Sequence, residues 1–360
     1  MHPRTGWAGV GDRIPGLSRR NFIRATGSVG VLGGLGTLLA ACSTSTSTSI
    51  TSIATGSAAT GSAATGSFPN ASTTGPAAGG YPITRLTPVD LYPDGFVIGD
   101  SNWPSWVHLQ EDGTLLIEGM DFYYSHPPTG SISIEHDTHH PVEYRGCRFI
   151  AYNQTVLHIL PWVPHTRVTY CYFSGARTSR IQAGVGSGAG NAEIDHCEFR
   201  RWSNPIFMAK DTGTGNHWNI HDNYLHDPVN LGSDHTDGMN IWGDGQTDFT
   251  IRHNTVLNSQ PQTSCIANPG TTSNVLITDN LMAGGGYTIY AGAGRGGVTG
   301  ERIVGNYFST RYWPKCGYFN IAAYSPIWGT NGNEWSGNYW FDGPHAGTLI
   351  APPINGSQSP

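Results

Sequence analysis

One eight-residue pattern, apolar–x–Ile–x–x–Asn–x–apolar, limits what this chain can fold into more than any other feature. It is clearest at Trp218–Leu225 and Phe249–Val256 and recurs along the chain. Its central apolar residue falls at Ile117, Tyr144, Val168, Ile194, Ile220, Ile251, Ile277, Ile303 and, more weakly, Trp335. Most steps are close to 26 residues, and those into Ile251 and Trp335 lengthen to 31 and 32. Five positions after each centre stands a second apolar residue: Phe122, Phe149, Phe173, Phe199, Leu225, Val256, Met282, Phe308, Trp340. Three positions after it the column reads Met120, Cys147, Cys171, Cys197, Asn223, Asn254, Asn280, Asn306, Asn338. A further short β-run, such as Met239-Asn240-Ile241, completes each copy. Units of this kind cannot bury an apolar face alone, whereas a stack of them can. The repeat therefore predicts an all-β solenoid of about nine coils, with the apolar columns inside and the Asn column as a ladder of amides along the axis. Low charge (12%) and 49 glycines suit such a fold better than a helical one.

The pattern, over residues 113–341, resembles the right-handed parallel β-helix of the pectate-lyase-like superfamily. That resemblance implies the fold and leaves the activity open, because lyases, hydrolases, epimerases and adhesins share it. Cysteines at one position of successive coils lie about 4.8 Å apart with parallel side chains, a poor disposition for a disulfide. The five cysteines after Cys42 are expected to be free thiols.

The N-terminus reads as an address. Ser18-Arg19-Arg20-Asn21-Phe22-Ile23-Arg24 resembles a twin-arginine export signal, and Val29–Ala41 is an apolar, Gly-rich run too short for a stable span. Leu39-Ala40-Ala41-Cys42 resembles a bacterial lipobox, which implies lipidation of Cys42 and anchoring on the outer face of the cytoplasmic membrane. The Ser/Thr/Ala/Gly tract from Ser43 to Gly80 lacks the apolar content for a core and is expected to be a disordered tether. The expected layout is a signal over 1–41, lipidated Cys42 and tether over 42–80, and β-helix over 81–360. Residues 1–41 contain five Arg and one Asp, which leaves 14 basic and 24 acidic residues elsewhere, a net of −10. An acidic exported domain is a poor nucleic-acid binder, and the membrane enters only through the anchor. A monomer is expected.

Outward positions of the main strand alternate in sign from coil to coil, for example Glu118, Arg145, Thr169, Asp195, His221, Arg252. This column reads as a solvated face laced with ion pairs. His196 and His253, in the turn, read as exposed.

Chemistry is expected where the coil is extended. The connection after Leu225 takes 13 residues before Met239, and the one after Phe308 takes ten before Phe319, against six or seven in most coils. Loops on a rigid solenoid are where function concentrates. Two such loops three coils apart predict the walls of a groove with a small, polar floor at 258–260 and 283–286. One wall carries His226, Asp227, Asp234, His235 and Asp237; the other carries Tyr312 and Trp313, planes on which sugar rings stack. Asp234, His235 and Asp237 are the candidate catalytic groups, with His226, Asp227, Lys210, Tyr312 and Trp313 as substrate-binding candidates. Two carboxylates in one cleft are the minimum for glycoside hydrolysis. His235 or Lys210 as base, with Arg180, Arg201, Lys210 or Ca²⁺ holding a uronate carboxylate, would suit β-elimination or epimerisation. Thr236-Asp237-Gly238 resembles part of the polygalacturonase motif, but Asn258-Ser259 stands where that family has an Asp pair, and its Gly-His-Gly and Arg-Ile-Lys motifs are absent. The Asp-Pro-His motif of mannuronan epimerases is absent too. A plainer reading makes Asp237 a turn cap. The sequence thus points to an exported polysaccharide lyase or glycoside hydrolase, or to a non-catalytic lipoprotein that binds glycan or a partner.

Overall fold

The computed structural model describes residues 67–353, except 188–190, 210–216, 233, 243–244, 293–297 and 324–327. The chain coils into a parallel β-helix whose three faces are sheets of ten, ten and nine strands. Sheet I runs from Leu115–Glu118 to Glu334–Ser336, with a short antiparallel strand, His108–Leu109, on its first edge. Sheet II runs from Thr87–Asp90 to Tyr339–Trp340, and sheet III from Phe96–Gly99 to Asn320–Ala323. Each coil visits the sheets in the order I, II, III.

The repeat sets the register rung by rung. In sheet I, Ile117, Tyr144, Val168, Ile194, Ile220, Ile251, Ile277, Ile303 and Trp335 pair in one column. In sheet II the column runs from Phe122 through Phe199 and Leu225 to Trp340. Its phenylalanines stack face to face at 4.9, 4.7 and 4.8 Å between Phe122, Phe149, Phe173 and Phe199. That spacing is the distance between hydrogen-bonded strands, so a ring fills one rung.

Between sheets I and II the chain turns in two residues. The first is left-handed in every coil: Gly119, Gly146, Tyr170, His196, Asp222, His253, Asp279, Gly305 and Gly337 have φ between 50° and 68°. The second is the ladder. Asn254 Nδ2 donates to Asn280 Oδ1 at 2.9 Å and to Ile220 O at 3.0 Å, while Asn254 Oδ1 accepts from Asn223 N and Nδ2 at 3.0 and 2.9 Å. Asn280 and Asn306 repeat the arrangement, and all are fully buried. Cys147, Cys171 and Cys197 continue the column as buried free thiols, each Cys147 and Cys171 N–H meeting the next sulfur at 3.4 Å; Cys265 and Cys316 are buried and free as well.

Two buried ionisable groups interrupt the apolar interior. Glu301 stands in sheet I next to Val275, in the column that includes Phe249 and Trp218. Its Oε2 accepts from Asn268 Nδ2 at 2.8 Å, its Oε1 has no partner, and burial raises its pKa to about 8. His136 bonds Tyr144 Oη at 2.8 Å through Nε2, and burial lowers its pKa to about 3.

The segment 67–80, which composition alone assigns to a tether, is ordered. It lies along the left-handed turns as a strap, running against the order of the coils and including one short helix, α1 (Gly75–Ala78). Phe68 packs on His253, Tyr307 and Phe341; Gly75 N donates to His196 O at 2.8 Å; Tyr81 Oη donates to Glu118 at 2.5 Å. A Cβ on Gly79 would stand 2.5 Å from the Tyr170 ring, so the chain can pass there only as glycine. His196 and His253 are therefore half-buried under the strap rather than exposed. Sequence alone could not place the strap, because a segment without a core of its own borrows one from the surface it covers. Cys42 and the signal region lie outside the described residues.

Candidate functional site

The two long connections both leave sheet II and enter sheet III. The first, Asp227–Gly238, is fastened to its surroundings at several points. Arg201 N donates to Asp227 O at 3.1 Å and Val229 N to Trp202 O at 3.0 Å, so the loop starts by continuing the rung below it. Asp234 then accepts a two-pronged bond from Arg180, with Nε at 2.5 Å from Oδ2 and Nη2 at 2.6 Å from Oδ1. Arg180 is itself buried and also donates to Asn153 Oδ1. A buried guanidinium needs such a partner, since breaking a buried pair leaves an uncompensated charge. Asp234 thus holds the loop to a coil two rungs away.

His235 is half-buried, and its carbonyl accepts from Ser203 Oγ at 2.6 Å and Asn204 Nδ2 at 3.3 Å. Thr236 N donates to Thr263 Oγ1 at 2.8 Å, and Asn258 Nδ2 donates to Thr236 O at 2.6 Å. Asp237 is 2% exposed. Its Oδ1 accepts from Ser264 N at 3.0 Å and Ser264 Oγ at 2.7 Å, and its Oδ2 from Asn240 Nδ2 at 3.3 Å. Burial raises its pKa, while the Ser264 hydrogen bond and the charge of His235 pull the other way. Gly238 is required for close approach rather than for an unusual turn, because a Cβ there would stand 2.5 Å from Cys265 O and from Val256 Cγ1.

His226 and Asp227 belong to the outer face of sheet II. His226 stacks on Tyr224 with centroids 4.2 Å apart, and meets Glu198 Oε1 at 3.0 Å and Asp227 Oδ2 at 3.2 Å. Burial depresses its pKa, but the bonds to Asp227 and Glu198 outweigh that and raise it overall. The His226 hydrogen bond holds Asp227 down to about 2, with Arg200 Nε 3.0 Å away.

The second connection leans toward the first. Tyr312 lies over a small apolar patch of Tyr224, Leu257 and Ala283, with the Arg311 guanidinium 5.6 Å above its ring. The floor between the walls is bonded to the first wall: Asn230 Nδ2 donates to Gln262 Oε1, and Gln260 Nε2 to Pro228 O at 3.5 Å. From Tyr312 an aromatic strip continues to Trp313 (5.8 Å), Tyr318 (5.9 Å from Trp313), Phe319 (4.9 Å) and Tyr287 (5.4 Å). Tyr318 and Phe319 are 53% and 54% exposed.

The sequence-derived candidates therefore divide into two groups. Asp234, His235 and Asp237 line the sheet III end of the first wall, whereas His226, Asp227 and Tyr312 meet on sheet II. Trp313 starts the strip between them, and Lys210 lies outside the described residues. Ser264, Asn204, Asn240, Tyr318, Phe319 and Tyr287 escaped the sequence reading. Ser264 carries no local signal, since it touches Asp237 only through stacking of adjacent coils. Tyr318-Phe319 closes the ten-residue insertion, where an exposed aromatic pair is a visible cue. The loop carboxylates do not converge on a common point for Ca²⁺: Asp234 faces Arg180 and Asp237 faces Ser264.

Comparison with protein families, curated proteins and solved structures finds no match to this chain.

Proposed function

We propose that the chain is an exported, polysaccharide-active β-helix protein of the pectate-lyase-like kind, with substrate lying between the two long connections and His235 as its proton-transfer group. The observation that carries this reading is a half-buried His235 two residues from the buried carboxylate of Asp237, on the wall facing an exposed aromatic strip. A carboxylate shielded from water stabilises a neighbouring imidazolium and makes the imidazole a better base. The strip offers the planes a pyranose stacks on.

The committed carboxylates favour β-elimination over hydrolysis. Hydrolysis needs two carboxyl groups free to meet substrate. Asp234 is spent on Arg180 and Asp237 on Ser264 and Asn240. In elimination His235 takes the proton next to the uronate carboxylate, the electron pair forms the C4–C5 double bond, and the glycosidic oxygen leaves with a proton returned by the imidazolium or by water, giving an unsaturated sugar and a new reducing end. Asp237 then acts as a positioning residue. Anchoring at Cys42 would hold the domain outside the cytoplasmic membrane.

Binding without turnover is the second reading, and the exposure of Tyr318 and Phe319 favours it independently of His235. The purified chain is to be mixed with a panel of neutral and uronate polysaccharides while reducing ends and unsaturated-uronyl absorbance are followed. Elimination raises both signals and hydrolysis only the first. Elimination lost in His235→Ala supports the proposal. Silence of both signals on the whole panel, with binding retained, supports the second reading.

A further inference from the structure

Away from the long connections, the outer face of sheet I carries a second concentration of polar groups. Glu193, Asp195 and His221 present ligand-type atoms that all lie within 4.8 Å of one another. The three come from two neighbouring rungs: Asp195 is register partner of His221, and Glu193 stands two residues before Asp195. Asp195 and His221 are buried and Glu193 is half-buried.

The imidazole is aimed. Its Nδ1 meets Asp222 Oδ2 at 2.6 Å and its Nε2 meets Glu193 Oε1 at 3.2 Å, so a cation entering between Nε2 and Glu193 would displace the Nε2 proton while Asp222 keeps the one on Nδ1. Asp222 is in turn held by His253 Nδ1 at 2.5 Å through its other oxygen. A carboxylate behind the far nitrogen of a ligating histidine is the usual outer support of a metal site, fixing tautomer and ring direction. Ligand atoms around a tetrahedral cation with bonds of about 2.0–2.1 Å lie roughly 3.4 Å apart, close to the separation of Glu193 and His221. Bringing Asp195 to the same spacing needs movement on the order of 1 Å.

There is also a way in. A trough of about 620 Å³ runs along this face over the corner with sheet III, lined by His165, Asn191, Glu193, His217, Asn219 and Asp248 among others. Glu193 belongs to both the trough and the cluster, which leaves one side of the cluster open to solvent or a further ligand. Positive charge is supplied from the next rung by Arg167, whose guanidinium reaches Asp195 at 3.5 Å and Glu193 at 3.8 Å. Its side chain is 44% exposed and can withdraw into water. Arg252, on the far side of His221, and His196, on Asp195, complete the charged surroundings.

We propose that Glu193, Asp195 and His221 form a binding site for a divalent transition-metal cation, with Asp222 as the outer support of the histidine and Arg167 as the built-in competitor. One imidazole and two carboxylates suit zinc or manganese, and the open side gives room for water or a trough-bound ligand.

Calorimetric titration of the metal-stripped full-length chain with Zn²⁺ tests this. One ion per chain is expected. Glu193→Gln removes a ligand at a half-exposed position and should abolish the event. Asp222→Asn leaves all three ligands, and asparagine tolerates the left-handed backbone; it should weaken binding about 10-fold or more, as loss of outer support does. Arg167→Met should tighten binding, a gain that damage to the fold cannot mimic. Absence of saturable Zn²⁺ uptake overturns the proposal. So does uptake of equal strength in Glu193→Gln and Asp222→Asn, which would place the ion on other surface histidines.

Discussion

Glu301 gives the sharpest test of how the interior is built. Its carboxyl group sits in a column of apolar residues with one oxygen bonded to Asn268 Nδ2 and the other unpartnered, and burial lifts its pKa from 4.5 to about 8. The folded chain therefore holds a proton that the unfolded chain releases above pH 4.5. Stability falls as pH rises through that window and levels off above pH 8. Each pH unit costs about 1.4 kcal/mol, so about 3 kcal/mol is lost by pH 7 and about 5 by pH 8.5. Glu301→Gln keeps the shape, the acceptor for Asn268 and the neutral state at every pH. Asn268 Oδ1, buried without a partner, is also available to a new donor. The variant is predicted to match the parent at pH 4.5 and to exceed it by about 3 kcal/mol at pH 7. Guanidinium midpoints at pH 4.5, 7 and 8.5, followed by circular dichroism, measure the difference. Parallel pH profiles for the two proteins between 4.5 and 8 would refute the argument, because they require the carboxylate to be ionised inside the fold or solvated by water.

Asn254→Ala should cost about 1–3 kcal/mol for each buried polar group left without a partner, and the donor Asn223 N and the acceptor Ile220 O both lose theirs; thermal denaturation reads this, and a loss below 1 kcal/mol would deny the ladder its role. His136, neutral in the fold, favours unfolding as pH falls from 6.5 toward 3, worth about 2 kcal/mol at pH 5. His136→Gln should remove that acid sensitivity in the same midpoint measurement, and an unchanged acid limb would count against it. Asp237→Asn keeps the acceptor for Ser264, and its new amide can donate to Asn240 Oδ1, buried without a partner, once that side chain turns over; the melting temperature should change little while turnover falls and the pH–rate profile moves. Unaltered turnover would return Asp237 to a purely structural place.

The fold was readable because its physics is local and repeated. The apolar columns, the Asn ladder and the thiols that precede it all follow from one residue position recurring at nearly constant spacing. An error of one residue in a strand would have turned its apolar set outward, so the pattern tolerates no other register. The left-handed turn was hidden for the opposite reason. Glycine marks it at the ends of the stack, but Tyr170, His196, Asp222, His253 and Asp279 occupy it in the middle, where Asp and His tolerate the conformation without signalling it. Those are the rungs that the strap crosses or that supply the polar network around His221.

The candidate site was only half readable, and the reason is contact between coils. Asp234 and Asp237 look alike in the sequence, three residues apart in one polar loop. One meets an arginine two coils away and the other a serine on the coil beyond, and each partner is invisible from the loop itself. What a solenoid adds to a loop is the neighbour above and the neighbour below, and those neighbours decide whether a carboxylate is a catalyst or a fastening. The same rule acts in reverse on sheet I. There a column that reads as a lattice of weak surface pairs brings Glu193, Asp195 and His221 together, because a residue two places along one strand and a residue one rung up are equally near. In a β-helix, polar side chains spaced by two and by about twenty-six residues should be read as one cluster before any of them is assigned to the solvent.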